Sequence, residues 1–166
     1  MNIRRAMMFG CAVLLLLAGT AASAAGKLQV TREAEINANA DELWELVGEF
    51  GGLQNWHPAV VSSELTGTGM DAGDKRVLTL GDGGKIHETL QSWDNDKHEY
   101  SYVITESPLP VENYSSTLSV RPAGENKSVF TWSSTFDAKG ASDEEAVKAI
   151  TGVYDGGIEA LKGMFK

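Results

Sequence analysis

The sequence predicts an α+β domain in which a bent antiparallel sheet of seven strands packs around one long C-terminal helix. Two observations support this fold class. One strand segment near the N-terminus and six more between residues 59 and 136 are separated by turns rich in Gly, Asp and Asn. After them, residues 142–164 form the one segment long enough to cover the apolar face of such a sheet as a helix.

The first elements are a strand and two short helices. Residues 28–36 alternate apolar and polar side chains, as a half-buried strand does. Asn39 is suited to cap a short amphipathic helix that ends at Gly51-Gly52. A second helical turn is expected over residues 53–57, where Pro58 ends it.

The remaining strands and the long helix follow without a linker or repeat, so one domain is expected. Ser142 and Glu145 have the spacing of a capping box at the start of the long helix. Gly152, Gly156 and Gly157 interrupt this helix, each at a cost of ~1 kcal/mol relative to Ala. The helix is therefore expected to leave room there for a sheet side chain or a ligand. The six strands are expected at 59–66, 75–80, 85–93, 97–106, 114–121 and 128–136.

Residues 1–24 have the features of a secretory signal peptide. Arg4 and Arg5 form a basic start, residues 7–18 are almost entirely apolar, and Ala22-Ser23-Ala24 is a small-residue cleavage site. The apolar run is shorter than the ~20 residues that span a bilayer, so cleavage is favoured over a membrane anchor. We expect a mature periplasmic domain of residues 25–166.

The chain of 166 residues is acidic, with 14 Lys+Arg, 23 Asp+Glu and a formal net charge of -9. The leader contains two of the arginines and no carboxylate, so the mature charge falls to about -11. Such a surface argues against binding of nucleic acid and, after cleavage, of a membrane. The one cysteine, Cys11, lies in the leader, so the mature domain has no thiol nucleophile and no cysteine metal site.

Residues 85–106 are expected to form a hairpin with one carboxylate on its apolar face. A turn at residues 94–96 makes Glu88 face Tyr102 and Leu90 face Tyr100. Glu88 would then point inward beside a tyrosine that hydrogen-bonds it, with a pKa raised by desolvation, and could orient a ligand or act as a general base. The alternative is a structural ion pair between Glu88 and Arg76, because the alternation of residues 75–80 predicts that Arg76 also points inward.

Several strings of residues carry a family resemblance. They are Trp56-His57-Pro58, Gly73-Asp74-Lys75-Arg76, Ile86-His87-Glu88-Thr89-Leu90, the segment 100–114, Trp132 and Gly157-Ile158-Glu159-Ala160-Leu161. Together with the order of elements, they resemble the START/SRPBCC superfamily with its helix-grip fold. The layout is most similar to the abscisic-acid-receptor-like bacterial branch, which includes exported MxaD-type proteins associated with periplasmic methanol oxidation.

The resemblance implies a ligand cavity between sheet and helix. It places a ligand-network acid at Glu88, further pocket positions at Tyr114, Ser116 and Gly157, and a latch loop at residues 108–110. This chain departs from the plant receptors in two places. Val61 stands at the position of the lysine that holds the hormone carboxylate, and the gate loop is replaced by the shorter turn of residues 81–84. Abscisic acid binding and lysine-based catalysis are therefore not implied.

The three histidines are not expected to share a metal ion, because His87 and His98 fall on opposite faces of the hairpin. His57, at a helix end before Pro58, is more typical of packing. Neither a metal nor a cofactor is predicted. The side chains expected around the cavity are Trp56, His57, Arg76, Glu88, Tyr102, Leu109, Tyr114, Ser116, Trp132, Tyr154 and Gly157.

Three hypotheses for function follow. The first is a periplasmic protein that binds a small hydrophobic ligand, or an accessory protein whose acidic surface docks onto a basic dehydrogenase or cytochrome. The second is a polyketide cyclase or hydro-lyase that uses Glu88 with Tyr102 or Tyr114 as base and acid. The third is a protein–protein module whose own side chains fill the cavity. Because the chain offers no nucleophile, the first hypothesis is favoured over catalysis.

Overall fold

The computed structural model describes residues 26–166, and the proposed signal peptide and its cleavage site lie outside the described residues. The elements follow the predicted order, which confirms the fold class. They are β1 (Leu28–Ile36), α1 (Ala40–Val47), a 3-10 helix (Phe50–Asn55), β2 (Val60–Thr66), β3 (Lys75–Leu80), β4 (Lys85–Asp94), β5 (Glu99–Glu106), β6 (Val111–Gly124), β7 (Lys127–Ala138) and α2 (Asp143–Met164).

All neighbouring strands of the sheet are antiparallel, in the spatial order β1-β7-β6-β5-β4-β3-β2. The sheet wraps around α2, whose buried face carries Ala146, Ile150, Tyr154, Gly157, Ile158 and Leu161. Among residues 26–166, no helix has the length and hydrophobicity that crossing a bilayer requires.

Both predicted helix caps are present. The Asn39 side chain accepts a hydrogen bond from the backbone N–H of Glu42, and Ser142 and Glu145 form a reciprocal capping box at the start of α2. Some boundaries differ from expectation. The second short helix is the 3-10 helix of residues 50–55 and therefore includes Gly51-Gly52, and β6 begins at residue 111 instead of 114.

The β4–β5 register differs from the predicted one. Glu88 faces Ile104 and Leu90 faces Tyr102, a shift of two residues for each. The turn occupies four residues, 95–98, and ends at His98 with a φ of 49°, while a bulge between Leu90 and Ser92 adds one residue to β4. Because the net offset is even, the inward-facing set is unchanged and Glu88 and Tyr102 both remain on the buried face.

The two edges of the sheet are β1 and β2. On the outer face of β1, Glu33 pairs with Arg121 at 3.0 Å and Glu35 pairs with Lys127. On β2, the pairing with β3 is interrupted between Val60 and Ser62, and the side chain at Val61 is 66% exposed. Val61 is therefore turned away from the interior at the position where the resemblance aligned the receptor lysine.

At Gly157, α2 lies close to the aromatic side of the core. A Cβ atom there would lie 2.9 Å from Cδ2 of His57, 3.0 Å from Cζ3 of Trp56 and 3.2 Å from Cζ3 of Trp132. Gly152 and Gly156 have no other atom within 4 Å of such a Cβ. Of the three glycines, only Gly157 leaves room for packed side chains, and these come from the sheet and the loop before β2.

This difference predicts opposite effects of alanine at neighbouring helix positions. Gly156→Ala should raise the free energy of unfolding by about 0.5–1 kcal/mol, because it improves helix propensity without a clash. Gly157→Ala should lower it, because the two indoles and the imidazole must shift. Urea denaturation of both variants at neutral pH measures the two changes, and stabilisation by Gly157→Ala would contradict the packing described.

Candidate functional site

A cavity of about 230 Å³ lies between the inner face of the sheet and α2. Most of its lining side chains are aliphatic or aromatic. Leu80, Leu109 and Val153 are half-buried and Ala59 is exposed, which places the mouth of the cavity among the loops at this end of the sheet. Leu109 of the latch loop lines this end of the cavity, and the loop lies against the β3–β4 turn, since a Cβ at Gly84 would lie 3.2 Å from Cγ of Pro108.

Glu88 is the one carboxylate in the cavity wall, and it is ion-paired. The two residues face each other on β3 and β4, and Arg76 donates from Nε to Oε2 of Glu88 and from Nη1 to the carbonyl oxygen of Phe50. The guanidinium carbon also lies 4.2 Å from the ring centroid of Phe50 and 5.2 Å from that of Tyr102. Arg76 and Glu88 are only 1% and 4% exposed, so the structural ion pair considered as the alternative for Glu88 is present.

Burial and pairing have opposite effects on the charges of this pair. Burial raises the pKa of Glu88 above that of an ordinary carboxyl, and the charge and hydrogen bond of Arg76 work against the rise. Burial lowers the pKa of Arg76, but Glu88 and the phenols of Tyr100 and Tyr102 outweigh burial, so the net shift is upward. Arg76 therefore stays charged, and Glu88 is its counter-charge.

The wall presents one acceptor and one donor to the cavity. Oε2 of Glu88 is engaged by Arg76, whereas Oε1 has no donor at hydrogen-bond distance among residues 26–166. The hydroxyl of Tyr102 accepts from Nε1 of Trp132 at 3.1 Å, which leaves its own proton available to the cavity. The expected hydrogen bond between Tyr102 and Glu88 is thus not formed, because the Tyr102 hydroxyl is directed to Trp132.

Behind the wall, hydroxyl groups form a directed chain from β6 to α2. Ser116 donates to the carbonyl oxygen of Ser133 at 2.9 Å, so it must accept from the hydroxyl of Tyr154 at 3.2 Å. Tyr154 in turn accepts from the hydroxyl of Tyr114 at 2.6 Å. Burial raises the pKa of Tyr154 to about 12 and raises the pKa of Tyr102 and Tyr114 well above 10. At neutral pH these phenols are protonated and cannot act as bases.

His57 is held as a neutral imidazole. Nδ1 accepts from the backbone N–H of Ala59 at 3.2 Å, so Nε2 carries the proton and donates to the carbonyl oxygen of Val153 at 2.9 Å. Burial lowers the pKa of His57, the Val153 bond raises it, and the charge of Arg76 lowers it further. With both nitrogens engaged, His57 anchors the loop before β2 to α2 and is not a free base.

The structure divides the eleven predicted cavity residues into two groups. Six line the cavity: His57, Glu88, Tyr102, Leu109, Tyr114 and Trp132. The other five lie behind the wall, and their placement in the lining is corrected. Arg76 is behind Glu88, Ser116 and Tyr154 form the hydroxyl chain, and Trp56 and Gly157 are packed against His57 and Trp132.

Nine lining residues were not anticipated, and all are apolar. Inward parity on β3 and β4 and the buried face of α2 were the signals that could have identified most of them. They are Leu53, Ala59, Val60, Leu78, Leu80, Ile86, Ile104, Ile150 and Val153.

The histidines do not meet. His98 lies at the end of the β4–β5 turn, stacked on Trp44 and 3.4 Å from Asp41, whereas His87 is on the outer face of β4. Within residues 26–166, no group of three or more His, Cys, Asp or Glu side chains is arranged to hold a metal ion.

The fold and the cavity agree with comparisons to known proteins. A sequence profile described as polyketide cyclase / dehydrase and lipid transport matches residues 27–165. The chain belongs to this family. Its membership, together with the cavity, supports a ligand-binding role. A comparison with curated proteins finds no match.

Solved structures include close neighbours of this fold. The protein XoxI of Bacillus cereus is 37% identical, with a TM-score of 0.77 over 82% of this chain and 94% of that one. An uncharacterised protein of Bacillus thuringiensis is also 37% identical, with a TM-score of 0.78 over 83% and 98% of the two chains. A START superfamily protein of Mycobacterium smegmatis, 14% identical with a TM-score of 0.71 over 82% and 96%, shares the fold.

The buried ion pair predicts non-additive mutations. Glu88→Leu should lower the free energy of unfolding by about 3–5 kcal/mol, because it leaves the Arg76 cation buried without a counter-charge. The double variant Arg76→Met with Glu88→Leu should lose much less, since neither charge remains. Urea denaturation of the two single variants and the double variant measures this coupling. Additive losses would show that the pair does not act as a unit.

Proposed function

We propose that the protein binds one small, mostly apolar molecule that carries a hydroxyl group, held in the cavity between the sheet and α2. The observation that carries this proposal is the polar composition of the wall. Oε1 of Glu88 can accept a hydrogen bond from a hydroxyl, and the hydroxyl of Tyr102 can donate a hydrogen bond to the same group. The rest of the lining favours contact with the apolar part of a ligand.

The size of the cavity narrows the ligand class. A cavity of ~150 Å³ in another protein holds benzene. At about 230 Å³, this cavity fits a molecule about half as large again, such as a bicyclic aromatic compound. The cavity is small for a long acyl chain.

Binding is favoured over the cyclase or hydro-lyase alternative. Catalysis would need Glu88 as a base, with Tyr102 or Tyr114 as an acid. Protonation of Glu88 would leave the buried Arg76 cation without its counter-charge, and burial has raised the pKa values of both phenols, which makes them weak acids. The third hypothesis expects the protein's own side chains to fill this space. Tyr102 and Trp132 instead form part of the wall, and Tyr154 lies behind it, stacked on Trp132 with 4.4 Å between ring centroids.

We further propose that the protein is exported and assists a periplasmic alcohol-oxidation system. The leader-like residues 1–24 support export, and the resemblance to MxaD-type proteins supports the association with methanol oxidation. The net charge of -9 would favour a dehydrogenase or cytochrome with a basic surface, and such an association would be sensitive to salt.

Ligand binding can be tested with 2-naphthol and naphthalene, which differ by one hydroxyl group. The mature protein should bind both and prefer 2-naphthol by about tenfold, because naphthalene leaves the Glu88 acceptor unpaired. Glu88→Gln should reduce this preference. Val153→Phe should weaken binding of both probes, because Val153 lines the cavity. Isothermal titration calorimetry measures the affinity of each protein for both probes.

Val147→Phe is the matched control, since Val147 is also half-buried on α2 but does not line the cavity. It should bind like the unmodified protein. Circular dichroism in the near ultraviolet establishes that each variant is folded. The cavity assignment would be overturned if Val153→Phe and Val147→Phe changed the affinities equally, or if the unmodified protein bound neither probe.

Export and the accessory role need separate measurements. When the full chain is expressed in a bacterium, the periplasmic fraction should contain protein that begins at Ala25, and Leu15→Arg with Leu16→Arg should retain it in the cytoplasm. Added mature protein should increase cytochrome reduction by a quinoprotein methanol dehydrogenase at low salt, with loss of the effect above about 0.3 M salt. An unprocessed chain, or a rate independent of the protein at every salt concentration, would refute the corresponding part.

A further inference from the structure

Strands β5 and β6 separate before they reach the latch loop. Their pairing runs from Glu99 opposite Ser119 to Val103 opposite Ser115 and stops there. β5 continues to Glu106 and β6 begins at Val111, so the last part of β5 and the first part of β6 lie beside each other without a ladder. Paired strands are held about 4.8 Å apart by their hydrogen bonds, and this segment lacks that restraint.

A groove occupies the separation on the outer face of the sheet. This outer groove is formed by residues 103–107 of β5 and its loop, residues 111–115 of β6, and Gln91, Thr135 and Lys139. Its volume is about 610 Å³, and most of its side chains are polar. It is therefore a polar depression that is open to solvent on the outer face of the sheet.

The outer groove and the cavity share two residues. Ile104 and Tyr114 belong to the walls of both, on the two strands that separate. These two residues thus lie between the solvent-facing groove and the apolar interior, and they are the partition between them. No other residue is common to both sites within the part of the chain that the structure describes.

The position of Tyr114 depends on a local distortion and one hydrogen bond. Asn113 has a φ of 51°, its side chain donates to Asp137 at 2.8 Å, and the β6–β7 register shifts between Glu112 and Ser115. This bulge directs Tyr114 inward, where its hydroxyl donates to Tyr154 at 2.6 Å. One hydrogen bond to α2 and ring contacts with Tyr102 and Phe136, at 6.2 and 6.1 Å between centroids, hold Tyr114 in place.

We propose that small apolar ligands enter the cavity from the outer groove, between β5 and β6, with Tyr114 as the gate. This side opening deepens the proposed function and rests on it. At the front, the latch loop lies against the β3–β4 turn through Pro108 and Gly84. At the side, passage requires the Tyr114 ring to leave its contacts with Tyr102 and Phe136 and to lose one hydrogen bond, but it breaks no pairing between β5 and β6. The polar groove suits molecules that carry a polar group on an apolar body.

The side opening is tested by the rates of 2-naphthol binding. Ser115→Trp places a bulky group in the outer groove and should slow association and dissociation about tenfold each, with the Kd unchanged, because the obstacle lies on the path and not in the bound state. Ser119→Trp is the matched control on the same face of β6, outside the groove. Pro108→Trp enlarges the latch loop at the front mouth, at an exposed residue that does not line the cavity. Both of these variants should leave the rates unchanged. Line-shape analysis of the Trp132 indole N–H signal measures them.

A second measurement needs no ligand. Tyr114→Phe removes the hydrogen bond to Tyr154, which retains Ser116 as a partner, and should speed exchange of the Trp132 indole proton with solvent. Ser115→Trp should slow that exchange, and the Trp44 indole, bound to Asn95, provides an internal reference. Slowing of Trp132 exchange by Pro108→Trp instead of Ser115→Trp, or a Trp132 exchange rate unaffected by all three variants, would overturn the side opening. Failure of 2-naphthol to bind at equilibrium would refute the proposed function, and the exchange experiment would still decide this inference.

Discussion

The buried pair of Arg76 and Glu88 is the interaction on which the character of the cavity depends. A guanidinium cannot lose its proton in a protein, so the interior of this domain must contain an anion beside it. Glu88 supplies that anion and still presents its second oxygen to the cavity. The same arginine binds the carbonyl oxygen of Phe50 and thereby fixes the 3-10 helix against β3. One ion pair therefore joins three elements and determines where a ligand can donate a hydrogen bond.

Much of the fold could be predicted because it follows from periodicity and caps. The alternation of apolar and polar residues identifies β1, and the capping box at Ser142 identifies the start of α2. Both are local signals that do not depend on the rest of the chain. The inward orientation of Glu88 and Tyr102 was likewise accessible from parity. The residues that Glu88 and Tyr102 face on the neighbouring strand could not be predicted. They depend on the four-residue turn and on the bulge after Leu90, and residue types do not specify this backbone geometry.

The site was harder to predict than the fold, for a different physical reason. The sequence directs attention to polar and aromatic residues, yet most of the cavity wall consists of aliphatic side chains such as Leu78 and Ile150. In the sequence these residues are indistinguishable from core residues, because a side chain that lines an apolar cavity is as hydrophobic as one that packs against another side chain. Conversely, Trp56 and Tyr154 do not line the cavity but pack behind Trp132, which does. Their position could not be read from the sequence, because it depends on how closely α2 approaches the sheet at Gly157.

The edges of the sheet have a consequence for how the molecule behaves among its copies. A terminal strand with free backbone groups is a template for adding a further strand, and such addition leads to aggregation. Here one terminal strand, β1, carries charged pairs through Glu33 and Glu35, and the other, β2, is interrupted at Val61. Charge on one side and irregular geometry on the other oppose edge-to-edge growth. Residues 26–166 contain no cysteine and therefore no disulfide, and these two features can keep the domain dispersed at concentrations where a flat, uncharged edge would polymerise.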